Sequence, residues 1–136
     1  MSRAGAAAFV AVMMLPLAAC GSPATAVPLP KVEVAMYSGR PDPSFTLTRE
    51  QADALSACRR TGTSVTAGTL PEGLGFRYFD VIGLDSAPLL VGVDGAWLDK
   101  GGAPTPVALC PEGFSILRKA AIGALGADES AGIPKA

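Results

Sequence analysis

Phe76-Arg77-Tyr78-Phe79-Asp80-Val81-Ile82-Gly83-Leu84 and, four residues later, Leu89-Leu90-Val91-Gly92-Val93-Asp94-Gly95-Ala96-Trp97 decide the fold. The first segment is rich in aromatic and β-branched residues, and the second opens as a short apolar run; both have the composition of strands bounded by turn residues. Asp94-Gly95 between Val93 and Trp97 is the strongest hairpin signal in the chain. A type I′ turn needs positive φ at both central residues, which Asp and Gly tolerate. Antiparallel strands are therefore expected over 76–84, over 89–93 and from Trp97 onward.

Upstream, Lys31 to Tyr37 sets Val32, Val34 and Met36 against Glu33, Ala35 and Tyr37, the period-two alternation of a half-buried strand. Ser38-Gly39-Arg40-Pro41-Asp42-Pro43 is turn chemistry, and Phe45 and Leu47 lead from it into Thr48-Arg49-Glu50-Gln51. Those four form a capping box, in which Thr48 satisfies the N3 amide and Gln51 reaches back. A helix is expected from about Arg49 to Arg60, with Ala52, Leu55 and Cys58 as its apolar stripe, Arg59 and Arg60 suiting the macrodipole, and Gly62 ending it. Thr61 to Gly75 reads as a loop, as does Gly101 to Pro106. Pro111 fits the first position of a second helix with periodic Phe114, Leu117, Ala121 and Leu125, closed by Gly126. The order β-α-β-β-β-α implies an α+β fold: a two-layer sandwich, an antiparallel sheet with two helices on one face. This domain spans 31–126, and 127–136 is expected to be a flexible tail.

The chain has 136 residues, 49% hydrophobic and 17% charged, which is one small domain and outside the composition of disordered chains. It has no histidine, which excludes histidine triads, imidazole metal sites and imidazole pH switching. The formal net charge of −1 offers no basic patch for nucleic acid. No G-x-S-x-G, P-loop or G-x-G-x-x-G before a helix occurs.

The N-terminus reads Met-Ser-Arg followed by an apolar run from Ala4 to Ala19. Such a run reaches only about 24 Å as a helix, short of a hydrocarbon core of about 30 Å, so it reads as an export signal over 1–19. Leu17-Ala18-Ala19-Cys20 resembles the lipobox of bacterial lipoproteins. The resemblance implies cleavage between Ala19 and Cys20, a diacylglyceryl group on the Cys20 sulfur and acylation of the new amino group. The other reading is an ordinary secretory signal with an incidental cysteine. Gly21 and Ser22, with no Asp following the cysteine, resemble lipoproteins forwarded to an outer membrane, facing the periplasm where the host has one. Residues 20–30, the lipid-bearing cysteine and a proline-rich stretch, form an extended tether.

With Cys20 taken by lipid, Cys58 and Cys110 remain, at the end of one helix and the start of the next. Exported thiols oxidise together, so a structural disulfide is expected; the alternative, a redox-active pair, lacks a C-x-x-C arrangement. Two thiols without imidazole fall short of a zinc site, and no metal or other cofactor is expected. Arg40 and Arg77 could form a fork for an anion, or each could brace the local structure against Asp42 or Asp80. Asp80 with Asp85, and Asp94 with Asp99, read as solvated turns and strand ends rather than catalytic pairs. Trp97 is expected in the core, with an exposed contact role as its alternative.

Tyr37-Ser38-Gly39-Arg40-Pro41-Asp42-Pro43-Ser44-Phe45 and Gly73-Leu74-Gly75-Phe76-Arg77-Tyr78-Phe79 resemble segments of a scattered family of small exported proteins. Its members carry S-G-R-P-[ND]-P-[ST]-W and G-L-G-Y-R-G-F; Phe45 stands where they have Trp and Tyr78 where they have Gly. That family has no assigned activity, so the resemblance supports the order of elements and transfers no catalytic residue. The sequence thus points to a lipid-anchored, non-catalytic module of the cell envelope, binding an envelope protein or small component. The competing expectation is a small envelope enzyme or enzyme inhibitor using Arg40, Arg77 and neighbouring carboxylates.

Overall fold

A computed structural model describes residues 27–37, 39–65 and 68–135; the signal segment, Cys20 and most of the tether lie outside them. Six strands, β1 (Lys31–Ala35), β2 (Ser44–Thr46), β3 (Tyr78–Ile82), β4 (Leu89–Val91), β5 (Ala96–Leu98) and β6 (Thr105–Val107), form one open antiparallel sheet in the order β2-β1-β3-β4-β5-β6. The helices are α1 (Arg49–Thr61), α2 (Gly113–Leu125) and the single turn α3 (Ala127–Ser130). The α+β class and the antiparallel sheet are as expected.

Alternation along the strands assigns the two faces of the sheet. Val32, Val34, Phe79, Val81, Leu89, Val91, Ala96 and Leu98 belong to one buried cluster with Ala52 and Leu55 of α1 and Phe114, Leu117, Ala120 and Ala121 of α2. Rings of Phe76, Phe79 and Phe114 meet edge-on or tilted at centroid distances of 5.0, 5.4 and 5.7 Å, joining sheet to helix. Leu90 and Trp97 are cross-strand partners on the opposite face and are nonetheless buried. The loop before β3 meets Trp97, whose indole Nε1 donates to the Gly68 carbonyl at 3.2 Å. Trp97 is therefore buried as expected, but beneath a loop rather than among the helices.

Thr48 caps α1 as its sequence demands, with Gln51 N donating to Thr48 Oγ1 at 3.1 Å and Thr48 N donating to Gln51 Oε1 at 2.9 Å. Cys58 and Cys110 form a disulfide with a Cα–Cα distance of 4.8 Å. It closes a separation of 52 residues, which contributes about 4 kcal/mol on the chain-entropy account.

Four expectations are corrected. First, β2 and β6 are strands: Phe45 pairs with Val32, and Pro106 with Trp97, at the two edges of the sheet. An edge strand tolerates proline because its outer N–H is not needed for a ladder. Second, the hairpin between β4 and β5 pairs Val91 with Ala96, so Val93 and Asp94 occupy its tip, and neither Asp94 nor Gly95 has positive φ. Gly92 N donates to the Gly95 carbonyl at 2.8 Å instead. Third, α2 starts at Gly113 with Pro111 two residues before it; Gly113 is buried, and a Cβ there would lie 2.6 Å from Leu109 Cγ. Fourth, the expected flexible tail is docked through residue 133: α3 follows Gly126 at φ 87°, and Ile133 is 4% exposed within the core cluster.

Gly62 ends α1 with φ −62°, so its role is space rather than handedness. A Cβ at Gly62 would lie 2.7 to 2.8 Å from backbone atoms of Leu109, which cannot yield as a flexible side chain can. Gly123, in the last turns of α2, has open space around its would-be Cβ. Gly62→Ala should therefore lower stability by about 1–3 kcal/mol through overpacking, while Gly123→Ala should raise it by about 0.5–1 kcal/mol. Urea unfolding midpoints of the two variants check both signs.

Candidate functional site

The turn leaving β1 gathers the residues singled out as a possible anion fork. Gly39 adopts φ 83°, and Asp42 turns back so that its Oδ1 accepts from Met36 N at 3.0 Å and Tyr37 N at 2.8 Å. Arg77 N donates to the Ala35 carbonyl at 2.8 Å, tying the start of β3 to the same end of the sheet. Its Nη2 lies 4.0 Å from Asp42 Oδ2, and its guanidinium lies 5.7 Å from the Tyr78 ring centroid. The Arg40 guanidinium carbon lies 3.5 Å from the Tyr37 ring centroid.

Arg40 and Arg77 thus come to one end of the sheet, but in different states. Arg77 is half-buried beside Asp42; at 4.0 Å and partial exposure that ion pair contributes little by itself. Among the described residues Arg40 makes no ion pair with Asp42 or Asp80, so the expectation that it braces the turn is corrected: Asp42 does so through two backbone amides. Arg40 is exposed, and its guanidinium makes a cation–π contact with Tyr37.

The carboxylates also sort differently from their spacing along the chain. Asp85 Oδ2 accepts from Arg59 Nε at 3.2 Å, and Asp99 Oδ1 accepts from Gly101 N at 3.0 Å. Asp94 and Asp99 lie at opposite ends of β5. Asp80 is the cross-strand partner of Glu33 on the face away from the helices, and its Oδ1 is buried with no hydrogen-bond partner. Burial pushes the Asp80 carboxyl above its ordinary value of 3.8, and repulsion from Glu33 and then Asp99 adds to the rise. Among the described residues, no group of three or more cysteines and carboxylates is arranged to hold a metal ion.

A cavity of about 310 Å³ opens at the disulfide junction. Val91, Ala96 and Phe114 contribute apolar lining, and Thr61, Thr63 and Ser64 add hydroxyls, with Cys110 in the wall. Asp94 adds a carboxylate at the hairpin tip, so hydroxyls and a carboxylate beside apolar side chains suit hydrogen bonding to a small polar ligand. Sequence reasoning missed these hydroxyls, because Thr61-Gly62-Thr63-Ser64 has no periodicity. Its one signal is position, directly after a capped helix that ends in a cysteine-bearing turn. Arg40 and Arg77 line neither this cavity nor the larger hollow near the C-terminus.

Two outcomes follow from these assignments. Asp42→Ala should cost about 1–3 kcal/mol, because two part-buried amides lose their acceptor, whereas Arg40→Ala should stay within about 0.5 kcal/mol of wild type in thermal unfolding. Asp80 holds its proton more tightly folded than unfolded. Its contribution is therefore full below the ordinary value of 3.8 and is lost as pH rises through the elevated folded value. Asp80→Asn should remove that loss, so its advantage over wild type in urea midpoints should grow from acid to neutral pH.

In comparisons with protein families, with curated proteins and with solved structures, the chain matches none.

Proposed function

We propose that the protein is a bacterial lipoprotein of the cell envelope, a tethered, non-catalytic binding or structural module anchored through lipid on Cys20. The observation that carries this reading is the Cys58–Cys110 disulfide. A stable structural disulfide belongs to an exported chain in an oxidising compartment, and with Cys58 and Cys110 joined, Cys20 is the remaining cysteine of the three in the sequence. Cys20 is also the residue that follows Leu17-Ala18-Ala19. Two acyl signals convert marginal membrane binding into stable anchoring, so no spanning helix is required. Among the described residues, no helix is long and apolar enough to cross a membrane.

The geometry of the domain is compatible with such a tether. Pro30 is buried where the chain enters β1, and Arg49 at the start of α1 donates to the Val27 carbonyl at 3.3 Å. The Arg40–Tyr37 stack and the hydroxyl-lined cavity lie toward the other end of the strands, beyond Ala35 and around the β4–β5 hairpin. A domain tethered at 20–30 would therefore present these features away from the lipid, toward an envelope partner. We place the anchor in an outer membrane, facing the periplasm, where the host has one.

Cys20→Ala should stop processing at Ala19 and abolish incorporation of labelled palmitate, while wild type is labelled and its extracted, denatured form shows no free thiol. Cleavage of the wild-type chain without label would refute the lipid anchor. Two titratable thiols in the exported protein would remove the observation on which the reading rests.

A further inference from the structure

The packing of α3 and the C-terminal segment against α2 leaves a second hollow, of about 420 Å³, within the range of about 300–1,000 Å³ common for small-molecule sites. We propose that it binds an oxyanion carried on a short apolar body, held by Arg118 and Lys135.

Arg118 carries most of the argument. A guanidinium is charged at any physiological pH and brings five donors. Arg118 Nε is buried and has no hydrogen-bond partner, and no carboxylate among the described residues lies within ion-pair distance of its side chain. A buried donor on a charged group is costly to leave unmet, and native structures leave few such groups. Lys135 lines the same hollow, and no acidic side chain does. Asp128 and Glu129 sit on α3 but are exposed and line no part of it.

The rest of the wall selects the body of the ligand. Ile122 lies one turn beyond Arg118 on the same face of α2, and at 37% it is among the exposed large hydrophobics of the domain. Ile133 and Pro134 add apolar wall. Ser130 does not compete for the anion, because its hydroxyl is spent on the Gly126 carbonyl at 2.5 Å. The frame is firm: Ile133 N donates to the Ser130 carbonyl at 3.0 Å, and a Cβ on Gly132 would lie 2.6 Å from Met36 Cε. Two cations, no acidic side chain and an aliphatic wall fit a carboxylate or phosphate joined to a few methylenes, the chemistry of a short-chain alkyl carboxylate or alkyl phosphate. Charge complementarity supplies orientation, and burial of methylenes supplies affinity.

The test is titration calorimetry on the full-length protein in neutral detergent, with hexanoate, inorganic phosphate and hexanol as probes. Saturable hexanoate binding is expected, with phosphate weaker and hexanol giving no more than partition into detergent. Arg118→Gln should weaken hexanoate at least tenfold, the loss of one charge-assisted hydrogen bond, and Lys135→Gln severalfold. Should Arg118→Gln not fold, Lys135→Gln, an exposed position, decides. Hexanol binding as well as hexanoate, no hexanoate binding by wild type, or affinities unchanged in the folded variants would each overturn the proposal. Phosphate binding as tightly as hexanoate would overturn the apolar part of it. The outcome is independent of whether Cys20 carries lipid.

Discussion

The close approach of the last turn of α1 to residues 108–110 is the constraint on which the rest of the domain depends. There the Cys58 carbonyl accepts from both Gly62 N and Cys110 N, each at 3.1 Å, while the side chains of Cys58 and Cys110 are covalently joined. Arg59 extends the seam in two directions, donating from Nη1 to the Ala108 carbonyl at 3.1 Å and from Nε to Asp85. Residue 62 must be glycine-sized because the Leu109 backbone occupies the space of a Cβ, and residue 113 because Leu109 and the Cys58 sulfur do. This seam sets where α2 begins and hence which of its residues meet the sheet. It also brings the hydroxyls after α1 to the β4–β5 hairpin, so the cavity beside the disulfide is a consequence of the same constraint.

The two faces of the sheet solve their burial differently. One face is covered by α1 and α2, and its residues on β1, β3, β4 and β5 are apolar. On the other, the loop before β3 meets Trp97, and toward β1 the face carries Glu33 and Asp80 in register. Glu33 is answered by Lys31 Nζ at 2.8 Å, an exposed pair of small worth. Asp80 has no such answer, and burial together with the neighbouring Glu33 carboxylate raises its pKa. The cost is tolerated because it falls at the edge of the covered region rather than in the main core.

What was legible in the sequence was local and periodic. The Thr48–Gln51 box and the Ala52, Leu55, Cys58 stripe act within a few residues and appear as expected, while the alternation begun at Val32 and Val34 ends with a buried Ala35, where β1 stops short of Met36. The edge strands were not legible: three residues each, flanked by turns, with Pro106 inside one of them, they exist because a neighbouring strand offers a ladder. The hairpin was legible and its turn was not, because pairing of Val91 with Ala96 fixes the register and overrides the preference of Asp94-Gly95. The docking of the last residues rests on buried Ile133 and Ser130 and on Gly132 against Met36, isolated positions with no period around them.

The arginines show why a candidate site resists reading from a chain. Arg40 and Arg77 stood out because they lie in conspicuous turn and strand contexts, and one is stacked on a tyrosine while the other leans on Asp42. Arg118 drew no attention, because an arginine in a helix is ordinarily solvated and its surroundings come from residues that follow it by four to seventeen positions. Whether a cation is answered is a property of three-dimensional packing: the same side chain is a solvated helix residue when α3 is absent and an unpaired charge beside an apolar hollow when Ile133 pins the C-terminal segment down. The docking of that segment, invisible in composition or periodicity, is therefore what sets an apolar wall and a second cation beside an ordinary helix arginine.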